Sequence, residues 1–148
     1  MSTIAIATQD DIPRLTELLT VLFTQEADFT PDPSRQAEGL RHIIENPAVG
    51  HILVLWDRAA IIGMVNLLYT VSTALGERVA ILEDMVVDPA QRGSGSGSTL
   101  LNGAIAFAKQ QGCRRITLLT DQVNSGAIRF YERHGFRLSE MVPLRLSL

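Results

Sequence analysis

The first part of the chain alternates between a short apolar run and two amphipathic stretches. Thr3 to Ala7 alternates weakly and predicts a short first strand, after which Thr8 to Asp11 resembles a capping box. Helical spacing follows and predicts an amphipathic helix along Ile12, Leu15, Leu18, Leu19, Leu22 and Phe23. A loop with two prolines occupies Asp28 to Pro33, and Ser34 to Glu45 then repeats the helical spacing before Asn46-Pro47 stops it.

Three runs rich in β-forming residues come next and predict a meander. His51 to Trp56 and Ala60 to Val71 are separated by residues 57–59, a connection with the length of a tight hairpin. Ser72 to Arg78 turns the chain again, and Val79 to Val87 returns as the central strand. Asp88-Pro89 ends that strand, because proline has no N–H to donate to a continuing ladder.

The second half of the chain adds helices and further strands. A stripe of apolar residues predicts a helix along Leu100, Leu101, Ala104, Ile105 and Ala108, and Gly112 stands where its C-cap is expected. Arg115 to Thr120 predicts another strand, and Phe136 to Leu146 predicts a last one, with Pro143 indicating an edge or a bulge. These elements predict one α/β domain over residues 1–148, in which a mixed, mostly antiparallel sheet of six or seven strands is flanked by about four helices.

Composition and charge narrow the class of protein. The formal net charge of −3 argues against a nucleic-acid partner. No apolar run approaches the roughly 18 residues of a membrane span, and the first ten residues lack the pattern of a signal peptide, so a cytoplasmic protein without a membrane partner is expected. The lone Cys113 cannot form an internal disulfide. His42 and His51 lack acidic or cysteine neighbours at ligand spacing, so no metal is predicted.

A glycine-rich loop between the central strand and the next helix carries the first functional signal. Its sequence is Arg92-Gly93-Ser94-Gly95-Ser96-Gly97-Ser98. A helix N-terminus has unpaired N–H groups, and glycines let an anion approach them, so the loop predicts a phosphate or pyrophosphate site. The dinucleotide pattern G-x-G-x-x-G does not fit this spacing, and the Walker loop would need a lysine that is absent here.

The form R-x-x-G-x-G, given by Arg92, Gly95 and Gly97, resembles the coenzyme A loop of the GNAT family of N-acetyltransferases. Residues 124–136 resemble the later motif of that family, N-x-x-A-x-x-F-Y-x-x-x-G-F. The resemblance implies the acyl-CoA N-acyltransferase fold, acetyl-CoA as co-substrate, and a small-molecule or peptide amine as acceptor. Cofactor contacts would come from residues 92–98 and from Met85, Val86, Val87, Asn124 and Tyr131.

Amide formation from a thioester requires a neutral amine, and an alkylamine is only about 0.04% neutral at pH 7, a handicap of roughly 4.6 kcal/mol. The resemblance implies that Glu83 is the base, because relatives often carry a glutamate on this strand. Asp84 lies on the opposite face of a regular strand, although a bulge would exchange the two carboxylates. A backbone N–H near Val86 is implied as the oxyanion donor, and Tyr131 as the proton donor to the departing thiolate.

The acceptor side is implied by the loop between the first two helices. Its candidates are Phe23, Gln25, Glu26, Asp28 and Phe29, to which Asp84 is added on the strand. Serine stands at 94 and 96, where relatives commonly have a basic and an aliphatic residue, so weaker cofactor binding is expected.

Direct attack in a ternary complex is favoured, because Cys113 lies outside both motifs and the sequence shows no serine–histidine pairing. A non-catalytic module that binds acyl-CoA is the alternative. A nucleotide phosphotransferase is disfavoured by the missing lysine. Relatives often pair through their late strands, so Met141 to Leu148 either contributes to a homodimer or belongs to the core.

Overall fold

The computed structural model describes residues 2–26 and 29–148 of the chain and contains four α-helices and one five-stranded sheet within them. The helices are α1 (Ile12–Gln25), α2 (Pro33–Glu45), α3 (Ser96–Gln110) and α4 (Ser125–Arg133). The strands are β1 (Ser2–Ile6), β2 (Gly50–Asp57), β3 (Ala60–Ser72), β4 (Glu77–Val87) and β5 (Ile116–Leu118).

The strands lie in the sheet in chain order, β1-β2-β3-β4-β5. The first four are antiparallel to their neighbours, and β5 runs parallel to β4 after the α3 crossover. This arrangement confirms the predicted fold class, a mixed and mostly antiparallel sheet flanked by helices. The described part of the sheet has five strands, however, and not six or seven.

The strand predicted over Phe136 to Leu146 was wrong. The chain after α4 forms no ladder, and its apolar side chains are exposed, with Leu144 95% accessible. The alternative that Met141 to Leu148 belongs to the core was therefore also wrong. The physical reason is the shortage of partners: β5 is three residues long, Pro143 cannot donate a ladder bond, and cross-strand contacts are what stabilise a strand.

Alternate residues of the central strands face two different cores. On β2, Leu53 and Leu55 pack with α3, whereas Ile52 and Val54 pack with α1 and α2. Strand geometry explains this division, since successive side chains point to opposite faces of a sheet. The continuous apolar run of β3 belongs to a strand that is covered on both faces.

An ion pair ties the first helix to the end of the central strand. The Arg14 guanidinium donates to Asp88 Oδ2 at 2.6 Å and to the Ile61 carbonyl at 2.9 Å. Asp88 also accepts from the Ala90 N–H at 2.9 Å. Those three contacts fix the position of α1 against the point where β4 ends and the glycine loop begins.

Among the helices in residues 2–26 and 29–148, none has both the length and the apolar character that a membrane crossing requires.

Candidate active site

The central strand separates from its neighbour halfway along its length. β4 pairs with β5 only from Ala80 to Leu82, opposite Ile116 to Leu118. Beyond Leu82, β4 continues to Val87 without a ladder partner on that side in the described residues, while β3 still pairs with it on the other. The five residues 83–87 therefore present a free strand edge.

Backbone alternation decides which groups this free edge presents. The Asp88 N–H donates to the Ile62 carbonyl of β3 at 2.8 Å. Because backbone groups of an antiparallel strand alternate between its two edges, the Val87 N–H is directed to the free edge and the Val86 N–H toward β3. The free edge near Val86 is thus formed by its neighbours Met85 and Val87.

A β-bulge interrupts β4 at Asp84. Met64 pairs with Val86, whereas Asn66 pairs with Glu83, so β4 has one residue more than β3 in this interval. Asp84 adopts a left-handed conformation with φ 53°, which aspartate tolerates better than most residues. The bulge changes the face on which the following side chains lie.

The carboxyl group of Asp84 is partly buried and lies next to the amide of Asn66. Asn66 Nδ2 donates to Asp84 Oδ2 at 2.7 Å. Burial is the largest cause that raises the pKa of Asp84 to about 7, and the charges of Glu83 and Glu26 act in the same direction, against the hydrogen bond from Asn66. Glu83, by contrast, has an exposed side chain. Asp84 is therefore the carboxylate whose ionisation falls in the neutral range.

Several predicted site residues meet in one cavity of about 170 Å³, which we call the fork cavity because it opens where β4 and β5 separate. The site residues that line it are Glu26, Glu83, Asp84, Met85, Asn124 and Tyr131. They come from the C-cap of α1, from β4, and from α4 and its N-cap, so three distant parts of the sequence converge here. Gln25 also lines this cavity.

Tyr131 is positioned by aromatic packing. Its ring lies 5.3 Å from that of Phe130 and 5.6 Å from that of Phe136, measured between centroids. Burial, followed by the negative charge of Glu26, raises the pKa of Tyr131 to about 12. The phenol consequently keeps its proton at neutral pH.

The glycine loop has the backbone geometry of an anion site. Gly93 and Gly95 have φ of 83° and 82°, and a Cβ built on either would meet nothing within 4 Å. Gly95 caps α3, and the first helical bond runs from the Thr99 N–H to the Gly95 carbonyl at 3.1 Å. The N–H groups of residues 96–98 precede that bond and face the loop side of the helix. The chain therefore fits a phosphate-bearing ligand at this position.

The two unusual serines of the loop contact one another. Ser96 is 8% exposed, and its Oγ lies 2.8 Å from that of Ser94, which also donates to the Gln91 carbonyl at 2.6 Å. Ser96 is thus a buried hydroxyl with a partner. Arg92 is exposed beside the loop.

A serine–histidine pair links the two motifs, so the sequence-based expectation that no such pairing exists was wrong. Ser98 Oγ lies 3.1 Å from His134 Nε2, and His134 Nδ1 lies 2.7 Å from the Phe130 carbonyl. Since a carbonyl only accepts, Nδ1 carries a proton, and in the neutral ring Nε2 accepts from Ser98. A backbone carbonyl at a helix end orients this imidazole, and we interpret the pair as a link between α3 and α4.

A second cavity, of about 280 Å³, lies between α1, α2 and the sheet, and we call it the α1–α2 cavity. Phe23, Phe29 and Asp84 line it, so the predicted acceptor residues are divided between the two cavities, with Glu26 in the fork cavity and Asp84 in both. Asp28 lies outside the described residues. Asn66 lines the α1–α2 cavity too and was missed, although an asparagine within the apolar run of β3 was a signal for it.

The described residues contain no group of three or more His, Cys, Asp or Glu side chains arranged to hold a metal ion.

Residues 12–136 match the acetyltransferase (GNAT) family, and the chain belongs to that family.

Individual relatives extend the match. The uncharacterized N-acetyltransferase YhfO of Bacillus subtilis is 31% identical over 118 residues, which cover 78% of each chain. An uncharacterized N-acetyltransferase of Methanocaldococcus jannaschii is 45% identical over 64 residues, but these span 43% of this chain and only 28% of the relative. Among solved structures, a protein described as a transcriptional regulator from Bacillus halodurans superimposes with a TM-score of 0.84 at 27% identity, covering 100% of both chains.

Proposed function

We propose that this protein transfers the acetyl group of acetyl-CoA to a primary amine by direct attack in a ternary complex. The observation that carries the proposal is the free edge of β4, where the bulged carboxylate of Asp84 and the phenol of Tyr131 line one cavity. Family membership supports acyl transfer in general. The class of acceptor and the roles of individual residues are proposed beyond what family membership supports.

Two parts of the chain suit the co-substrate. The glycine loop and the N–H groups at the start of α3 would bind its pyrophosphate, with Arg92 adding a positive charge. Met85 and Val87, on the free edge of β4, would hydrogen-bond its pantetheine amides as a neighbouring strand would. Asn124 caps α4 by accepting from the Ala127 N–H at 3.0 Å, and it lines the fork cavity. When bound, acetyl-CoA supplies an electrophilic thioester carbon and a thiol leaving group.

The structure favours a different general base from the one that the family resemblance implies. A general base works best when its pKa lies near the operating pH, and Asp84 meets that condition. The family resemblance alone implies Glu83 as the base. We propose Asp84 as the base and assign Glu83 to the electrostatic surroundings, because its charge is among the causes that raise the pKa of Asp84.

We assign the remaining roles so that the protons of the reaction balance. Asp84 accepts a proton from the acceptor ammonium, and the freed amine forms the new C–N bond as the C–S bond breaks. The Val87 N–H, which is directed to the free edge, donates to the carbonyl oxygen of the thioester. Tyr131 donates its proton to the departing sulfur and regains one from the nitrogen, so the reaction releases one proton overall.

A first experiment separates catalysis from binding. Calorimetric titration with acetyl-CoA, using ATP as comparison, measures cofactor affinity, and the release of free thiol in the presence of an amine panel measures turnover. We expect micromolar binding and amine-dependent thiol release. Binding with no release for any amine would favour the non-catalytic acyl-CoA-binding module instead, and the absence of binding would contradict both.

A matched pair of neighbouring substitutions tests the base. Asp84→Asn and Glu83→Gln each remove one negative charge with little change of shape. We expect Asp84→Asn to lower kcat by about 100-fold or more and Glu83→Gln by less than about fivefold, with cofactor affinity nearly unchanged in both. The reverse order would return the role to Glu83.

We also propose that two copies of the chain associate through Met141–Leu148. Met141, Leu144 and Leu146 are each more than four-fifths exposed, and contiguous exposed apolar surface is typical of interaction sites. Sedimentation of the parent and of Leu144→Glu should show a dimer in the first and a monomer in the second. A monomeric parent would contradict this part of the proposal.

A further inference from the structure

Asn66 leaves a buried hydrogen-bond acceptor unused at the base of the α1–α2 cavity. The side chain is 2% exposed, and its Oδ1 has no hydrogen-bond partner within the described part of the chain. An unpaired buried polar atom has lost its water without gaining a partner, so such atoms are rare without a reason. The nearby cavity supplies one, because a ligand that donates a hydrogen bond would satisfy this oxygen.

The orientation of the amide is fixed by its neighbour. Asn66 Nδ2 donates to Asp84 Oδ2 at 2.7 Å, and an ionised carboxylate can only accept. Exchanging the amide oxygen and nitrogen would place two acceptors against each other. Oδ1 is therefore the atom that stays available while Asp84 is ionised, and the ligand group that meets it must be a donor.

The walls of the cavity describe the rest of the ligand. Leu19, Phe23, Phe29, Leu40 and Ile43 are the large apolar residues of the lining, and the rings of Phe23 and Phe29 lie 5.3 Å apart at a tilt of 41°. Such walls suit an apolar or aromatic body. Arg35, the cationic residue of the lining, is paired with Asp32 at 3.5 Å and is largely exposed, so a phosphate or carboxylate finds no buried cation here.

We propose that the α1–α2 cavity binds the acceptor as a small primary amine on an apolar or aromatic body, with its ammonium donating to Asn66 Oδ1 next to the Asp84 carboxylate. This inference rests on the proposed function and specifies the substrate class. It assigns Asn66 as the residue that orients the amine. A volume of about 280 Å³ suits a ligand near the size of phenethylamine.

The test combines turnover with direct binding. Thiol release is measured with phenethylamine, isoamylamine, spermidine and an amino sugar phosphate, and calorimetry measures phenethylamine binding without acetyl-CoA. We expect kcat/KM for the two apolar amines to exceed that for the polar pair by about tenfold or more, as removal of apolar contacts in a pocket discriminates to that degree. A preference for spermidine or the sugar phosphate would overturn the inference.

Two variants and a control make the assignment specific. Asn66→Leu should raise the KM for phenethylamine and its Kd by about tenfold or more, because the ammonium loses its acceptor. Phe29→Ala changes a half-exposed side chain, so the variant should fold. It should weaken the binding of aromatic amines more than the binding of isoamylamine. Asn102→Leu, on the exposed face of α3, serves as the control and should bind phenethylamine like the parent. Unchanged affinity in a folded Asn66→Leu that still binds coenzyme A overturns the assignment.

Failure of the inference and failure of the proposed function give different results. Acetylation of polar amines without phenethylamine binding would refute the cavity assignment and leave acetyl transfer intact. Phenethylamine binding that is lost in Asn66→Leu, with no thiol released from any amine, would support the cavity and refute the transfer reaction.

Discussion

Ser98 Oγ hydrogen-bonds to His134 Nε2 at 3.1 Å, so the helix that follows the glycine loop is joined to the end of the helix that carries Tyr131. The two sequence motifs are therefore in direct contact, although 36 residues separate this pair. The contact explains how α4, whose sequence neighbours form little regular structure, keeps Tyr131 at the fork cavity.

This link predicts energetic coupling between Ser98 and His134. Ser98→Ala and His134→Ala should each destabilise the fold, and the double variant should lose less than their sum by about 0.5–1.5 kcal/mol, because the same hydrogen bond is removed in both. Urea denaturation of the four proteins completes the cycle. Strict additivity would show that the pair is a coincidence of packing.

The pKa of Asp84 predicts the pH dependence of turnover. Its carboxyl is raised to about 7 by burial and by the charges of Glu83 and Glu26, and a base works only in its ionised form. With a fixed amine, kcat/KM should therefore rise about tenfold per pH unit below about 7 and bend near that value. Glu83→Gln should move the bend to lower pH, since it removes one raising charge, and an unmoved bend would place the titrating group elsewhere.

The same carboxyl predicts an unusual dependence of stability on pH. A raised pKa means that between about 4 and 7 the folded protein binds more protons than the unfolded chain, so stability falls as pH rises through this window. The loss is on the order of 4 kcal/mol for a shift from 3.8 to about 7. Asp84→Asn, which keeps the size and tolerates the left-handed conformation, should remove the decline. Thermal unfolding at pH 5 and pH 8 measures it, and equal pH dependence in parent and variant would refute the buried charge.

The phenol of Tyr131 predicts a loss in the chemical step alone. Tyr131→Phe keeps the ring contacts with Phe130 and Phe136 but removes the proton donor, so kcat should fall by about tenfold or more. Cofactor affinity by calorimetry should stay nearly unchanged. A variant that acetylates as fast as the parent would exclude the phenol as the acid.

The ion pair between Arg14 and Asp88 predicts a contribution to acid stability. Its contacts with the Ala90 N–H and with Arg14 hold the pKa of Asp88 below the usual range of an aspartate. Stability from this group is present above the unfolded pKa and is lost as pH falls through the folded one. Asp88→Asn should be about 1 kcal/mol less stable at pH 7 and should lose less stability on acidification than the parent. If the parent and the variant lose stability identically on acidification, the ion pair makes no net contribution to stability.

Local sequence patterns predicted most of the helices and strands, because capping, helical spacing and turn residues act between neighbours in the sequence. The capping box at Thr8 and Asp11, the helical stripes and the αL glycine after α3 all appear where expected, with the Thr8 N–H donating to Asp11 Oδ2 at 2.8 Å. The last strand failed because strand formation depends on a distant partner. Phe136 to Leu146 has the pattern of a strand, but β5 offers only three residues for pairing.

Six of the predicted site residues line one cavity, but the sequence did not divide the roles among them. The neighbouring carboxylates Glu83 and Asp84 were visible in the sequence, whereas the bulge that places Asp84 beside Asn66 depends on the register of β3 against β4. Burial then separates the two carboxylates, and burial is a property of the packed chain. Asn66 needed the same information, since only the fold shows that its buried oxygen is unpaired and that the residue lines a cavity.

The left-handed bulge at Asp84 also has an evolutionary meaning. Aspartate and asparagine both accept that backbone conformation, and a single base transition in the codon exchanges them. If Asp84 is the base and its ionised form destabilises the fold, that one transition would yield a more stable descendant. That descendant would still bind the co-substrate but would no longer turn it over. The bulge would thus be the place where a lineage of catalysts passes most easily into a lineage of sensors.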